Sequence, residues 1–345
     1  MRIGLISYPM LFQRLGGLQV QVLETMRALA ELGHDARYID AFEGRLSDFD
    51  VIHVFGAING NHRIVEAACD QNLPVVISTV LHPPFTAFDR RLCELADSLL
   101  GRFVGWEVTT SYRQIRAALD GASRIVALGN DERGMLIEGY GQGPGKIDVI
   151  PNGVAQRFYG ASPDLFRDRF APGGRVIACI ASVNERKNQL AAARAVSELD
   201  AELFLFGPCD ASAEAYLEQV KEAAPGAVNY CGSLNYDDPM LPSAYAAADI
   251  MLLPSLSEVM PISVLEALAA GTPVVMTKNH SLGIAAVPGI LEMVDPTDIA
   301  AIREACRRLL ANPPERARVR ELVKDFTWRA VAEKLLGVYE TVLAP

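Results

Sequence analysis

The sequence predicts an α/β protein made of two doubly wound, parallel-sheet halves that face each other across a cleft. Three observations predict it. Short apolar and β-branched runs alternate with helix-length segments from end to end. The runs are apolar along their whole length rather than at every second position, the pattern of strands covered on both faces. A chain of 345 residues is also too long for one ordinary compact domain and comfortable for two of about 150–200 residues.

In the first half, strands are expected at 3–7, 36–39, 51–54, 75–78, 124–128 and 147–150. The segment 19–32 carries apolar residues at helical spacing and stops at Gly33-His34. The second half repeats the rhythm with strands at 176–180, 201–206, 228–230, 249–253, 274–276 and 291–294. Helices are expected between them at 189–199, 213–224, 241–248 and 262–270, followed by amphipathic, Arg-rich helices at 298–310 and 314–344. The join falls in 152–174, which holds Asn152-Gly153, Pro163 and Pro172-Gly173-Gly174 and few periodic apolar positions. This gives a Rossmann-like domain over 1–155, a second over 156–325, and a C-terminal helix over 326–345 expected to pack back on the first. Ligands of doubly wound sheets bind beyond the carboxyl ends of the strands, so the site is expected between the two domains.

The composition narrows the function. The formal net charge of −10 argues against nucleic acid as a partner, because a phosphate backbone calls for a basic face. The six cysteines are scattered without a close pair or zinc-like spacing and read as free thiols. The chain opens directly on a strand, without a signal-peptide layout, and contains no apolar stretch near the roughly 20 residues that span a bilayer. A cytoplasmic location is expected. The stretch from Arg90 to Arg124 mixes Leu, Phe, Trp and Tyr with five arginines short of its end, so peripheral contact with the inner membrane face is a second expectation beside ordinary helix packing.

One segment stands out, Ser255 to Val275. Glu258 sits in a loop after a strand, Pro261 opens a helix, Glu266 lies about one turn into it, and Gly271 stops it before the next strand. Unsatisfied backbone N–H groups at such a helix start attract phosphate. A carboxylate on each side can hydrogen-bond the hydroxyls of a ligand whose phosphates lie between. Read alone, Glu258 could equally cap the helix electrostatically and Glu266 be an exposed helix residue. With its intervening apolar residues and its Ala-Gly-Thr-Pro-Val-Val tail, the segment resembles the E-x7-E signature of family 4 glycosyltransferases, which are retaining enzymes with the GT-B fold. The resemblance implies that Glu258 contacts the donor sugar near the reacting centre and that Glu266 holds the ribose. It places the backbone of Val259, Met260, Pro261 and Ile262 beside the donor. The family usually has Gly where this chain has Val259, so the donor pocket is expected to differ in shape.

Other segments extend the resemblance over nearly the whole chain. Gly16-Gly17, between the first strand and a helix, resembles the family's glycine loop, whose backbone approaches the donor phosphates; a tight turn alone would also explain it. Ile150-Pro151-Asn152-Gly153-Val154 resembles the family's domain junction and is taken as a boundary marker. Lys187 matches the second member of the basic pair that neutralises the diphosphate. Ser182 stands where the first, an Arg, is usual, and Arg186 is the candidate to supply its charge. His82, at the end of the fourth strand, resembles the N-domain His that faces the sugar, and Ser233-Leu234 the loop beside the base.

The implied activity is retaining transfer of a sugar from a nucleoside-diphosphate sugar to a glycan or lipid-linked acceptor, in bacterial-type cell-surface glycan or glycolipid synthesis. No cofactor and no divalent metal are expected, because no Asp-x-Asp motif lies in a suitable loop. Donor sugar, base, linkage and oligomeric state stay open. A dehydrogenase on the same halves lacks its Gly-x-Gly-x-x-Gly fingerprint after the first strand. A non-catalytic GT-B subunit that binds a nucleotide sugar or a partner is the alternative, and Ser182 and Val259 are the residues that keep it open.

Overall fold

The computed structural model describes residues 1–13, 16–40, 42–81, 85–103 and 110–344. In the N-terminal half, β1 (Arg2–Ile6), β2 (Asp35–Tyr38), β3 (Val51–Phe55), β4 (Val75–Ser78), β5 (Arg124–Ala127) and β6 (Ile147–Val149) form one sheet in the order β2-β1-β3-β4-β5-β6. In the C-terminal half, β7 (Arg175–Ile180), β8 (Ala201–Phe206), β9 (Val228–Tyr230), β10 (Ile250–Leu253), β11 (Val274–Thr277) and β12 (Leu291–Val294) form another, in the order β12-β11-β10-β7-β8-β9. The paired strands of both sheets run parallel. All the expected strands form, and each sheet reverses its winding beside its first strand, which is where such sheets bind ligands.

The apolar runs are explained by cover on both faces. In β3, Ile52 and Val54 point into one cluster and Val51 and Phe55 into the other. The first cluster lies under α2 (Asn61–Cys69), α4 (Ser111–Gly121) and α5 (Asn130–Glu138); the second lies under α1 (Gly17–Glu31). The helix α3 (Ala87–Phe103) runs between α2 and α4 in the sequence and packs along α4. In the C-terminal half one face is covered by α7 (Gln189–Val196), α8 (Glu214–Ala223) and α11 (Ile299–Ala311). The other is covered by α6 (Asp164–Phe170), α9 (Met240–Ala247), α10 (Ile262–Ala270) and α12 (Arg316–Glu321).

One expectation fails. Residues 314–344 do not form one helix: α12 ends at Glu321 and α13 (Trp328–Leu343) starts afresh. The Thr327 side chain accepts from Ala330 N and caps the new helix. Just before it, the Phe326 carbonyl accepts from Val154 N at 2.8 Å, and Val154 forms a parallel bridge with Thr327. Here the chain crosses back to the N-terminal half beside its outgoing crossing, and an extended backbone makes that pairing where a helix could not. Gly153 permits the approach, since a Cβ there would lie 2.6 Å from Trp328 N.

Having crossed, α13 packs against α1 and the N-terminal sheet through Val331, Leu335 and Val338. Its Tyr339 hydroxyl lies 2.6 Å from His53 Nδ1, and His53 Nε2 lies 2.9 Å from Ser78 Oγ. His53 is fully buried, and burial pulls its pKa down to about 3, so the ring is neutral with both nitrogens engaged. Replacing Tyr339 by Phe should keep the packing and leave Nδ1 without a partner. The expected loss is about 1–3 kcal/mol, read as a lower urea midpoint at unchanged m-value; an unchanged midpoint would refute the role given to this bond.

Candidate functional site

The βα loops of the two sheets meet at the domain interface. Gly16 and Gly17 start α1 after β1, and a Cβ on Gly17 would come 4.0 Å from Ile262 Cδ1, at the start of α10. The N-termini of α1 and α10 therefore converge, each offering backbone N–H groups that no helical carbonyl satisfies. Ile262 packs into the N-terminal core, and the Pro261 carbonyl just before the helix accepts from Val264 N at 3.1 Å. Met260 is buried. Its carbonyl accepts from Asn152 Nδ2 at 3.2 Å, and its sulfur accepts from Asn152 N at 3.1 Å. Asn152, taken from the sequence as a turn residue, thus holds the 258–261 loop from the interdomain crossing.

The charges gather around Glu258. Lys187 Nζ lies 2.5 Å from its Oε1, and Arg186 Nη1 lies 3.8 Å from its Oε2 while donating to the Ser257 carbonyl at 3.1 Å. The side chains of Glu258 and Lys187 are only 8% and 13% exposed, so this pair is nearly out of water and breaking it is costly. A 3₁₀ turn, Glu185–Lys187, capped by Asn184, aims the lysine. Ser182, in place of an Arg, accepts from Asn184 Nδ2 at 3.0 Å and brings no charge. The Glu258 carboxylate is thus turned to Lys187 rather than spent on capping α10.

Glu266 is buried, not exposed, and Tyr245 donates to its Oε2 at 2.8 Å. Burial pushes the Glu266 carboxyl up to about 7, against the lowering effect of Tyr245 and Arg157. Arg157 lies 4.3 Å over the Tyr236 ring and donates to the Tyr236 carbonyl. The Tyr236 hydroxyl is buried without a hydrogen-bond partner among the described residues. From the other half, Arg27 of α1 pairs with Glu24 at 2.7 Å and with Asp237 at 2.8 Å. Arg157 and Arg27 thereby tether the loop after β9, on which Ser233 is exposed and Leu234 half-buried.

On the far side of Glu258 a cleft of about 550 Å³ opens between the halves. Leu81, Asp131 and Met135 line it from the N-terminal half, and Glu258, Val259, Lys278, Asn279 and His280 from the C-terminal half. Beside it Gly129 meets the other half closely: a Cβ there would lie 2.4 Å from the Ser281 carbonyl oxygen. Glu132 underpins the N-terminal wall. Its carboxylate accepts from Thr79 Oγ1 at 2.7 Å, Leu81 N at 2.8 Å and Leu128 N at 2.7 Å. These bonds hold Val80 at a φ of +48°, a strained setting for a β-branched residue. His82, expected to face the sugar, lies outside the described residues.

Asn152, Asp131, Asn279 and His280 were not singled out from the sequence as site residues. Asp131 and His280 follow β5 and β11 directly, so the rule that ligands gather beyond strand ends was the available signal. Among the described residues, no three His, Cys, Asp or Glu side chains are grouped to hold a metal ion, and no helix is long and apolar enough to cross a membrane.

Residues 174–312 match the family model described as glycosyl transferases group 1. The chain is 29% identical over 246 residues to D-inositol 3-phosphate glycosyltransferase of Corynebacterium diphtheriae, covering 64% of this chain and 56% of that protein. It is 25% identical over 321 residues to MMP alpha-(1->4)-mannosyltransferase of Mycolicibacterium hassiacum, covering 87% and 72%. The chain thus spans little more than half the length of the first of these relatives. Its structure superposes on sucrose-phosphate synthase from Thermosynechococcus elongatus with a TM-score of 0.81 at 19% identity, covering 99% of both chains. On Anabaena HepE in complex with UDP-glucose the TM-score is 0.71 at 16% identity, covering 99% and 100%. The chain has the GT-B fold.

The burial of Glu266 sets a pH dependence. Its folded pKa, about 7, lies above the ordinary 4.5, so the carboxyl's contribution to stability is fully present below about pH 4.5 and is lost as pH rises through about 7. Glu266→Gln lacks this titration. Its stability relative to the parent should rise between pH 4.5 and 7 by on the order of 3 kcal/mol and level off above. Urea midpoints of both proteins across that range test this, and a pH-independent difference would refute it.

Proposed function

We propose that this chain, whose residues 174–312 belong to the group 1 glycosyl transferases, transfers a sugar from a nucleoside-diphosphate sugar to a hydroxyl acceptor, with retention at the anomeric carbon. One observation carries the reading: Glu258, engaged by Lys187 and Arg186, stands just before the α10 N-terminus and opposite the Gly16-Gly17 start of α1. A diphosphate lying between the two helix starts would meet backbone N–H groups from both halves. Lys187 and Arg186 would share their charge between Glu258 and the phosphates, and so oppose the negative charge that builds on the leaving group. For that reason we assign no metal to the step.

Glu266 would accept hydrogen bonds from the ribose hydroxyls, which favour its ionised form. Ser233 and Leu234 would flank the base. Glu258 orients the sugar and stabilises developing positive charge at its anomeric carbon. The acceptor oxygen forms its bond to that carbon on the face from which the diphosphate leaves, and the hydroxyl proton passes to the departing phosphate oxygen. His82 is proposed to face the sugar on the strength of the family resemblance.

The same resemblance supports bacterial-type glycan or glycolipid synthesis and a cytoplasmic setting. Phe88, Leu92 and Leu95 form an exposed apolar stripe along α3, with Arg91 beside it, and this supports peripheral contact with a membrane carrying the acceptor.

A nucleotide-sugar panel should reveal the donor by a rise in melting temperature. Release of nucleoside diphosphate from that donor should then fall about 10²- to 10³-fold in Glu258→Gln and in Lys187→Ala. Glu258→Gln keeps the side chain's shape, so lost turnover in a folded variant separates chemistry from stability. Ser182 and Val259 favour a second reading, a binder without turnover. Tight donor binding with no nucleotide release over a broad acceptor panel would establish that reading and sink the first.

A further inference from the structure

The cleft beyond Glu258 has a charge pattern of its own. The cations that border it among the described residues each face a carboxylate. Lys278 lies 2.8 Å from Asp295, and Lys187 and Arg186 face Glu258. His280 has both ring nitrogens engaged, Nδ1 accepting from Leu282 N at 3.0 Å and Nε2 lying 3.1 Å from Met293 Sδ. Burial of the ring favours its neutral form, against the opposing pull of the nearby Asp131 charge. Asp131 is the reverse case. It is exposed, lines the cleft and has no ion-pair partner among the described residues. It also sits with Glu132 in the first turn of α5, so two carboxylates already meet the positive end of that helix.

Among the described residues, the unpaired charge in this cleft is therefore negative. Leu81 and Met135 supply an apolar wall of the kind that packs against the C–H face of a sugar ring, while Asp131 and Asn279 lie where its hydroxyls would be. Asn279 has its Nδ2 committed to the Leu256 carbonyl at 3.0 Å, which leaves its side-chain oxygen to accept from a ligand.

Taking this cleft as the place where an acceptor enters, as the glycosyltransferase reading requires, we propose that Asp131 makes it select an uncharged sugar or polyol over the same molecule bearing a phosphate monoester. The assignment rests on the glycosyltransferase reading for its use and on the cleft's charge for its selectivity. Asp131 accepts a hydroxyl hydrogen from the neutral acceptor. A phosphate dianion in its place would face a carboxylate of like charge at close range, which costs binding free energy.

The test is a binding comparison that needs no turnover. Glucose and myo-inositol are titrated by ligand-observed NMR against their monophosphate esters, in the presence of UDP, with the parent protein and with Asp131→Lys. The parent should bind the neutral compounds at least about tenfold more tightly than the esters, and Asp131→Lys should shift that ratio about tenfold or more toward the esters. Asp131 is exposed and in no hydrogen-bond network among the described residues, so the variant should fold, and an unchanged melting temperature confirms it. Esters that bind the parent as well as the neutral compounds, a ratio unmoved by Asp131→Lys, or no binding of either class would each overturn the proposal. Hydrolysis of nucleotide sugars without acceptor reports separately on the glycosyltransferase reading. Its absence beside an intact selectivity ratio would remove the activity and leave the cleft's preference standing.

Discussion

Parallel strand pairing is the constraint on which the rest of this structure depends. A parallel strand cannot be followed by a tight hairpin, so each strand needs a crossover that returns the chain to the same edge, and helices end up on both faces. The interiors of the strands then face apolar cover on either side and carry no chemistry. Polar side chains that must act together are left to the loops at the carboxyl edges. Glu258, Lys187, Ser233, Asp131 and His280 all lie just beyond strand ends. With two such sheets edge to edge, the site is divided between halves, and neither half holds it complete.

That division has an electrostatic consequence. Lys187 and Glu258 come from two loops of the same sheet and neutralise one another where water is nearly excluded. Such a pair contributes little net stability, because desolvation consumes most of the attraction, yet either partner alone would be strongly unfavourable. On the proposed reading, a phosphate would compete for the lysine without leaving a bare charge behind, since Arg186 stands 3.8 Å from the same carboxylate. Glu266 meets the same burial without a cation in contact and responds through its pKa instead.

The strands were legible in the sequence because double burial leaves an unmistakable apolar run, as in Val51–Phe55. Glu258, Lys187 and the glycine loop were legible because the residues around each resemble a family motif at a fixed point of a βα unit; position alone left a helix cap and a tight turn as equal readings. What escaped was set by contacts between halves. The 314–344 region keeps an amphipathic period through its break, and only the pairing of Phe326 with Val154 shows why the helix must stop. Thr327 was a readable cap, but nothing local says that α13 belongs to the other half. Glu266 is buried beside Tyr245 from α9, and it feels the charges of Arg157 and of Glu24 on α1, groups far apart in sequence. Asp131 and His280 acquire meaning only when β5 and β11 are brought to face each other.

The crossing between the halves is not an isolated linker. Asn152 holds Met260 through two hydrogen bonds, Gly153 lies against Trp328, and Val154 pairs with Phe326. Three consecutive residues of the outgoing crossing thus touch the 258–261 loop, the returning segment and the start of α13. Both crossings are fastened side by side, so a rotation of one half against the other must pivot here. Such a pivot displaces Asn152, and with it the Met260 carbonyl and the segment that carries Glu258. The contacts farther from the pivot, Arg27 with Asp237 and Gly129 with Ser281, are exposed or point-like and can part. The loop between Glu258 and α10 is therefore fastened to the same crossing that joins the two halves.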